Sequence, residues 1–294
     1  MGNRRNKGGG TGELDLEDVV SNPKLVDRIK ELSEAEQSIL LKQLDHRSVT
    51  EILKHRHHYA KDHARFGYFS DPHVGEKKFK EDVWVKMCRT FISEGIDMVY
   101  GAGDNLEGMS GREGQIYDLA QIGFNAQANY LAELVNAFPQ LQFNCIDGNH
   151  DGWYNQKNNA GVIVGEEMRT RCPNWHFLGQ MEADVELAPG ITMKLFHAND
   201  GTAYAHSYKL QKLMESFTGG EKPNIVLSGH YHKHMAMWSR NIFGVEAGTL
   251  CGQTGWMRGK KIQAHIGYGI MDVWYNKTGV DHIDHTFYMD FEHR

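Results

Sequence analysis

The chain contains few cysteines, and they form no recognisable pattern. The four, Cys88, Cys145, Cys172 and Cys251, lie far apart among 294 residues and include no C-x-x-C pair. This scatter argues against a thiolate zinc site and against a disulfide framework. Free thiols in a reducing cytoplasm are the interpretation that it favours, so we expect a cytoplasmic protein.

Long apolar stretches are also missing from the sequence. No run approaches the roughly 20 residues that a helix needs to cross a bilayer. The first ten residues are polar and Gly-rich, and they contain no apolar core of a secretory signal. Asn6 occupies the position where a myristoylation motif requires Ser or Thr. We therefore expect no membrane partner.

Positive charge is not in excess either. The formal net charge is −6 at pH 7, which is not the usual signature of a nucleic-acid-binding protein. It does not exclude one, because two bound divalent cations would add about four positive charges at their site. The apolar fraction of 40% and the charged fraction of 24% are ordinary for a soluble globular protein. The length allows one large α/β domain with a small appendage.

The N-terminal part of the sequence divides into a tail and a helical extension. Residues 1–12 are polar and are predicted to be disordered, whereas residues 13–63 carry helix-start signals at Asn22, Ser33 and Ser48. The third of these helices is predicted to extend through His58. A helix-turn-helix DNA reader would fit three short helices. A helical brace on the main domain is favoured, because Glu51 interrupts the basic character of the third helix.

Residues 64–294 show the alternation of strands and helices that is typical of an α/β domain. Strands are predicted at 66–70, 98–100 and 142–146, with helices at 77–93 and 115–137 between them. A hairpin (183–187 and 191–196), a helix at 204–217 and a strand at 224–228 follow. Polar motifs come after the strands, where open α/β sheets collect their ligands.

Five short motifs occur in one order along this domain, and each contains residues that bind metal or handle phosphate. They are Asp71-Pro72-His73, Gly103-Asp104-Asn105, Gly148-Asn149-His150-Asp151, His197 and Gly229-His230-Tyr231-His232. Three of them carry a glycine, as a tight turn or a close approach to a ligand requires. In the D-x-H and H-x-H pairs, an extended backbone would point both side chains to the same side. Together the motifs supply the donors of a two-metal hydrolytic centre.

At these motifs the chain resembles the calcineurin-like metallophosphoesterases, whose signature is D-x-H, G-D-x, G-N-H-[DE], a single His and G-H-x-H. The match runs from Asp71 to His232 and lacks no block, although Ala198 stands where the family often has a glycine. The resemblance implies an α/β four-layer sandwich, with two mixed β-sheets flanked by helices. The predicted N-terminal helices would be a short extension of that fold.

The resemblance also implies a metal site with seven ligands. Asp71, His73, Asp104 and His232 would hold one ion, and Asn149, His197 and His230 the other, with Asp104 bridging both. A mixed oxygen and nitrogen set without sulfur suits Mn²⁺, Fe²⁺ or Zn²⁺, and two Mn²⁺ ions are our first expectation. Such a pair would lower the pKa of a shared water and neutralise charge on the phosphate oxygens, so the resemblance implies in-line attack by a metal-bridging hydroxide.

His150 is the one histidine of the five motifs that is not among these seven implied ligands. It follows a ligand directly and can face the substrate, so we assign it as the general acid that protonates the leaving oxygen. Asp151 beside it is expected to orient the ring or to favour its protonated form. We therefore name His150 and Asp151 as candidate catalytic residues.

Candidate substrate-binding residues come from two segments. Arg112 lies in a Gly-rich loop just past Asp104 and could reach a phosphate. Trp256 and Arg258 lie in a segment that mixes an aromatic ring with cations, as expected where bases stack and phosphates are held. Surface loops often have the same composition, so these three residues are hypotheses.

Three functions from different classes compete. The first is a metal-dependent phosphodiesterase that acts on DNA or nucleotides, favoured by His150 and by the aromatic and basic segment. The second is a small-molecule phosphomonoesterase or cyclic-nucleotide phosphodiesterase, favoured by the acidic net charge. The third is a binding scaffold that has lost catalysis. It is disfavoured because a degenerate site would be expected to lack Asp104 or His150.

Overall fold

The computed structural model describes Ser33, residues 54–57, residue 59 and residues 62–291, apart from residues 157, 158, 202 and 221. Residues 52–294 form one compact unit. The predicted tail and most of the predicted helical extension fall outside the described residues.

Strands dominate the described part of the chain. In chain order they are β1 (Lys54–Arg56), β2 (His63–Phe69), β3 (Met98–Gly101), β4 (Gln142–Asp147), β5 (Trp175–Gln180), β6 (Glu182–Ala188), β7 (Ile191–His197), β8 (Ile225–Gly229), β9 (His234–Ser239), β10 (Ile242–Ala247), β11 (Gly267–Asn276) and β12 (Gly279–Met289). The helices are α1 (Glu81–Ser93), α2 (Phe124–Asn136), α3 (Asn149–Trp153), α4 (Val164–Arg171), α5 (Tyr208–Ser216) and α6 (Gly255–Gly259), with a 3-10 turn at Gln115–Tyr117. None of these described helices is long and apolar enough to span a bilayer.

The strands form two mixed six-stranded sheets. In the first, the order is β12-β11-β2-β3-β4-β5, and β2 to β5 run parallel while β11 and β12 are antiparallel additions. In the second, the order is β1-β6-β7-β8-β10-β9, with β7, β8 and β10 parallel to one another. The predicted hairpin is confirmed, because β6 and β7 pair antiparallel across Pro189-Gly190.

The apolar core lies in layers on either side of these sheets. One cluster fills the space between the two sheets, and its members include Phe66, Tyr68, Tyr100, Val185, Leu195, Leu227 and Val273. A second packs helices α1 and α2 on the outer face of the first sheet, with Trp84 stacked on Phe143. A small third cluster packs Leu210 and Met214 of α5 against Val226. This helix–sheet–sheet–helix arrangement confirms the predicted α/β sandwich.

The sequence predicted two segments wrongly. Part of the segment predicted as the third helix, residues 54–56, forms strand β1, which pairs parallel with residues 184–186 of β6. Tertiary pairing with an open sheet edge overrides the local helix signal there. The rest of that predicted helix up to residue 53 lies outside the described residues. The predicted helix at 115–137 is also too long. It is a 3-10 turn followed by α2, because Gly123 between them adopts φ of 87°, which an α-helix cannot include.

Candidate metal centre

All five motifs lie just beyond the carboxyl ends of parallel strands. Asp71 follows β2, Asp104 follows β3 and Asn149 follows β4, all in the first sheet. The second sheet contributes His197 at the end of β7 and His230 directly after β8. Because both sheets present these strand ends at one place, ligand-type residues up to 161 positions apart in the sequence come into contact.

The backbone at the ligands is not extended, contrary to the sequence-based expectation for the D-x-H and H-x-H pairs. Asp71, His73, Asp104, His230 and His232 all have positive φ, between 49° and 90°. They are five of the nine non-glycine residues in that region among the described residues. Such conformations cost about 1–3 kcal/mol each and persist only where the surroundings enforce them. Backbone strain is therefore concentrated at this centre.

Two motif glycines explain how the loops approach one another. Gly103 has φ of 94°, and a Cβ on it would lie 2.5 Å from Nδ1 of His197. A Cβ on Gly148 would collide with the carboxylate and backbone nitrogen of Asp104. Any larger residue at either position would push apart the groups that form the centre.

A first group of possible ligands consists of Asp71, His73 and His232, whose donor atoms lie within 4.8 Å of one another. Nε2 of His232 lies 3.4 Å from Oδ1 of Asp71, and Nε2 of His73 lies 3.7 Å from the same oxygen. The two imidazole Nε2 atoms approach to 3.0 Å. Asp71 has no exposed surface and His73 is 3% exposed, whereas the side chain of His232 is 13% exposed and lines the cleft.

A second group consists of Asp104, His197 and His230. Nε2 of His197 lies 3.2 Å from Oδ2 of Asp104. The amide oxygen of Asn149 completes the group, because it lies 3.1 Å from Nε2 of His197 and 2.9 Å from Nδ1 of His230. The structure thus brings together all seven residues that the sequence nominated as ligands.

Asp104 stands between the two groups. Its Oδ2 lies 3.2 Å from Nε2 of His197 on one side and 3.7 Å from Nε2 of His73 on the other. Its Oδ1 accepts a hydrogen bond of 2.8 Å from the backbone nitrogen of His150, which holds the carboxylate in this position.

The outer nitrogens of the imidazoles show that the inner ones are suited to a cation. Nδ1 of His73 donates to Oε2 of Glu107 at 2.9 Å, and Nδ1 of His197 donates to the carbonyl of Ala102 at 2.7 Å. Nε2 of His230 donates to the carbonyl of Asp200 at 2.8 Å. In each neutral ring the remaining nitrogen carries a lone pair, and it faces carboxylate or amide oxygens that are also acceptors. Metal-binding histidines are oriented in this way, so these residues fit divalent ions.

The electrostatic field at the centre also favours cations. Burial by itself would raise the pKa of Asp71, but the imidazoles of His232 and His73 hold that pKa well below its usual range. Burial would lower the pKa of His197, but the carboxylate of Asp104 outweighs it and raises this pKa to about 9. Protons and divalent ions therefore compete for the same nitrogen atoms.

His150 lies beside the ligands, and one of its ring nitrogens is within 4.8 Å of donor atoms of His73 and Asp104, so these three form a third group of ligand type. The assignment of His150 as the proton donor leaves it outside both metal groups. Its Nδ1 donates to the backbone carbonyl of Glu107 at 2.8 Å and lies 3.3 Å from the Oε2 carboxylate oxygen of the same residue. The ring packs on Trp153, with centroids 3.8 Å apart. Because Nδ1 is held by Glu107, Nε2 is the atom left to act on a substrate.

Glu107 is a residue that the sequence-based reasoning missed. The same carboxylate oxygen contacts both His73 and His150, and both imidazoles hold the pKa of this buried group low against the effect of burial. A possible signal was present, because Glu107 is an acid three residues after Asp104.

Asp151 was expected to orient the His150 ring, but the hydrogen-bond partners of its carboxylate lie elsewhere. Its buried carboxylate accepts hydrogen bonds from the backbone nitrogens of Asn105, Leu106 and Gly148, at 2.8–3.0 Å, and from the Asn105 side chain. Burial and the nearby Asp104 raise its pKa to about 6. In the described structure Asp151 ties two motif loops together, and the carboxylate beside His150 is that of Glu107.

The centre opens into a cleft of about 780 Å³. Among its lining residues are two of the three predicted substrate residues, Arg112 and Trp256. Arg258, within α6, does not line the cleft, whereas Lys260, directly after the end of α6, does. Arg112 lies 3.5 Å from Asp118 across an exposed ion pair.

No family profile matches the chain, and neither does any curated protein. Among solved structures, the chain is similar to an archaeal phosphodiesterase, with 14% identity and a TM-score of 0.44 over 76% of this chain and 100% of that one. It is similar to the phosphoesterase YfcE from E. coli, with 14% identity and a TM-score of 0.42 over 75% and 98% of the two chains. It is also similar to vacuolar protein sorting 29 from Cryptosporidium parvum, with 12% identity and a TM-score of 0.40 over 78% and 100%. The resemblance to the calcineurin-like metallophosphoesterases stands on the five motifs and on the two-sheet fold.

Proposed function

We propose that this protein is a dinuclear-metal-dependent phosphoesterase that hydrolyses phosphodiester bonds of nucleic acid or nucleotides. The observation that carries this proposal is the position of Asp104 between two groups of ligand-type side chains, with Oδ2 3.2 Å from His197 and 3.7 Å from His73. One shared carboxylate is what two divalent ions about 3.5–4 Å apart require.

The donor set favours Mn²⁺, with Fe²⁺ or Zn²⁺ as alternatives, because it combines carboxylate, amide and imidazole donors without sulfur. When bound, such a pair of ions activates water as a nucleophile and neutralises charge on the phosphate. The amide of Asn149 contributes an oxygen without charge, which leaves the centre more positive than a third carboxylate would.

His150 performs the proton transfer in this proposal. Its Nδ1 is held by Glu107, and its side chain is 22% exposed and lines the cleft. Nε2 can therefore carry a proton to the leaving oxygen of a substrate in the cleft. General acid catalysis of this kind contributes typically about 10²–10⁴-fold.

The lining of the cleft supports a substrate with aromatic and anionic parts. Trp256 is 50% exposed, and Arg112 and Lys260 also line the cleft. An exposed ring with neighbouring cations can stack on a base and hold a phosphate. This composition favours a nucleotide unit over a simple alkyl phosphate.

A second candidate function is hydrolysis of a small phosphomonoester or a cyclic nucleotide. The carboxylates of Glu76, Asp118 and Asp200 also line the cleft, and the net charge of the chain is −6. These charges repel a long polyanion more than a compact substrate, because the repulsion grows with the number of phosphates near the surface.

A substrate panel separates the two candidates. Purified protein with Mn²⁺ should hydrolyse bis-p-nitrophenyl phosphate and single-stranded DNA faster than p-nitrophenyl phosphate, with double-stranded DNA and cyclic nucleotides as further substrates. EDTA-treated protein and Asp104→Asn serve as inactive controls. Preference for the monoester or for a cyclic nucleotide would support the second candidate. No metal-dependent hydrolysis of any substrate would refute both.

A further inference from the structure

The four imidazoles of the centre are anchored unequally. His73 and His197 donate their outer N–H groups to Glu107 and to the carbonyl of Ala102, which are both buried. His230 instead donates to the carbonyl of Asp200, a residue whose side chain is 56% exposed. One group of ligands is thus oriented partly by a surface loop.

Asp200 is itself held by two side chains. The hydroxyl of Tyr231 donates to its Oδ1 at 2.5 Å, and the ammonium of Lys209, in the first turn of α5, forms an ion pair with its Oδ2. Tyr231 directly follows His230 in the chain, and both residues hydrogen-bond Asp200: His230 through its imidazole and Tyr231 through its hydroxyl. The carboxylate contacts fix the loop, and the loop fixes the carbonyl.

We propose that Asp200 is a positioning residue for the Asp104–His197–His230 metal site, so that ion affinity at this site, much more than at the Asp71–His73–His232 site, depends on the Asp200 contacts. The proposal rests on the proposed two-metal function. Asp200 touches no reacting atom. It sets which nitrogen of His230 carries the hydrogen and how the ring is turned.

The expected size of the effect follows from the behaviour of such partners elsewhere. Loss of a group that hydrogen-bonds a ligating imidazole typically lowers metal affinity by about 10–100-fold. The Asp71–His73–His232 site should respond much less. Its link to this segment is the backbone nitrogen of His230, which donates to Oδ2 of Asp71 at 2.9 Å and is kept in every variant, while His73 is held by Glu107. Selectivity for one of two ions is the mark of positioning, since general damage to the fold would weaken both.

The experiment is a calorimetric titration of EDTA-treated full-length protein with Mn²⁺, which measures the affinity of each ion. Asp200→Ala keeps the backbone carbonyl but loses both anchors, and it should weaken one ion about 10-fold or more and change the other much less. Asp200→Asn still accepts from Tyr231 and should recover most of the affinity. Tyr231→Phe, which removes one hydroxyl, should show a smaller loss at the same ion. Lys212→Gln, on an exposed lysine of the same helix, is the matched control.

Two double variants show which of the two metal sites the Asp200→Ala change weakens. The Asp200→Ala effect should persist in His232→Ala, which impairs the other site, and should disappear in His197→Ala. Wild-type protein that binds no divalent ion would refute the proposed function together with this inference. Wild-type protein that binds two ions, with Asp200→Ala changing neither or weakening both equally, would refute the role of Asp200 alone.

Discussion

The part of the cleft formed by the ligand-type residues, here called the ligand wall, has almost completely buried carboxylates at Asp71 and Asp104, and hydrogen bonds join its loops. The part lined by Trp256 and Arg112, here called the substrate wall, is more exposed: Trp256 is 50% exposed and Arg112 forms an exposed ion pair with Asp118. The ligand wall must hold several like-charged oxygens and strained backbones together, which requires many fixed contacts. Under the proposed function, the substrate wall needs only to present a ring and cations. We therefore infer that chemistry that depends on geometry is separated from recognition that tolerates movement.

Replacement of the shared carboxylate should have the largest effect. Asp104→Asn removes a charge that faces His73 and His197 at once. We expect both ions to be lost and hydrolysis to fall to the background rate, as measured by metal analysis and by assay of the same sample. Asp281→Asn, at an exposed site, is the control. If the variant retained two ions fully, Asp104 would not be the bridge.

Replacement of the proton donor should be the next largest effect. His150→Ala should keep both ions and the fold, and lose about 10²–10⁴-fold in rate on a diester with a poor leaving group. The loss should be much smaller with a p-nitrophenyl ester, whose leaving group departs without a proton. His282→Ala, at an exposed histidine, is the control. Equal losses on both substrates, or loss of an ion, would show that His150 has another role.

Asp151 tests whether the ligand wall depends on loop anchoring. Asp151→Ala leaves the buried backbone nitrogens of Asn105, Leu106 and Gly148 without their acceptor. At about 1–3 kcal/mol for each unsatisfied group, the free energy of unfolding of EDTA-treated protein should fall by roughly 3 kcal/mol or more in denaturant titration. Unchanged stability with a lost rate would instead support the original assignment of Asp151 to the His150 ring.

The substrate wall should respond more weakly and only in binding. Trp256→Ala should raise KM for single-stranded DNA by roughly 5–150-fold, which corresponds to the loss of about 1–3 kcal/mol of stacking, with little change in kcat or in bound metal. Trp238 offers a matched control, because it is 54% exposed, as against 50% for Trp256, and does not line the cleft. Equal effects of the two variants would show that Trp256 is only a surface residue.

Removal of the N-terminal segment should have the smallest effect. The compact unit begins at residue 52 and strand β1 begins at Lys54, so deletion of residues 1–51 spares the second sheet. If the segment is a brace or a recruiting module, as the helix signals predict, hydrolysis of a small chromogenic diester should be retained. A folded truncation without metal or activity would show that the segment helps to build the centre.

The sequence predicted the ligand side chains better than the contacts between them. All seven nominated ligands converge, because each motif follows a strand and the parallel strand ends meet at one place. The extended backbone expected at Asp71 and His230 was wrong, because left-handed conformations there depend on surrounding loops. Trp256 and Lys260 line the cleft and Arg258 does not, so a substrate role for Arg258 stays a prediction.

The sequence by itself determined the chemical identity of the centre, since the donor types, their order and the turns between them are local properties of five short motifs. Only the tertiary structure decided that Glu107 faces His150 across 43 positions and that Asp151 anchors loops from 45 positions away. It also decided that an exposed aspartate orients His230. Such contacts join segments that are far apart in the sequence and meet only when the sheets have formed and packed, so no local sequence pattern can specify them.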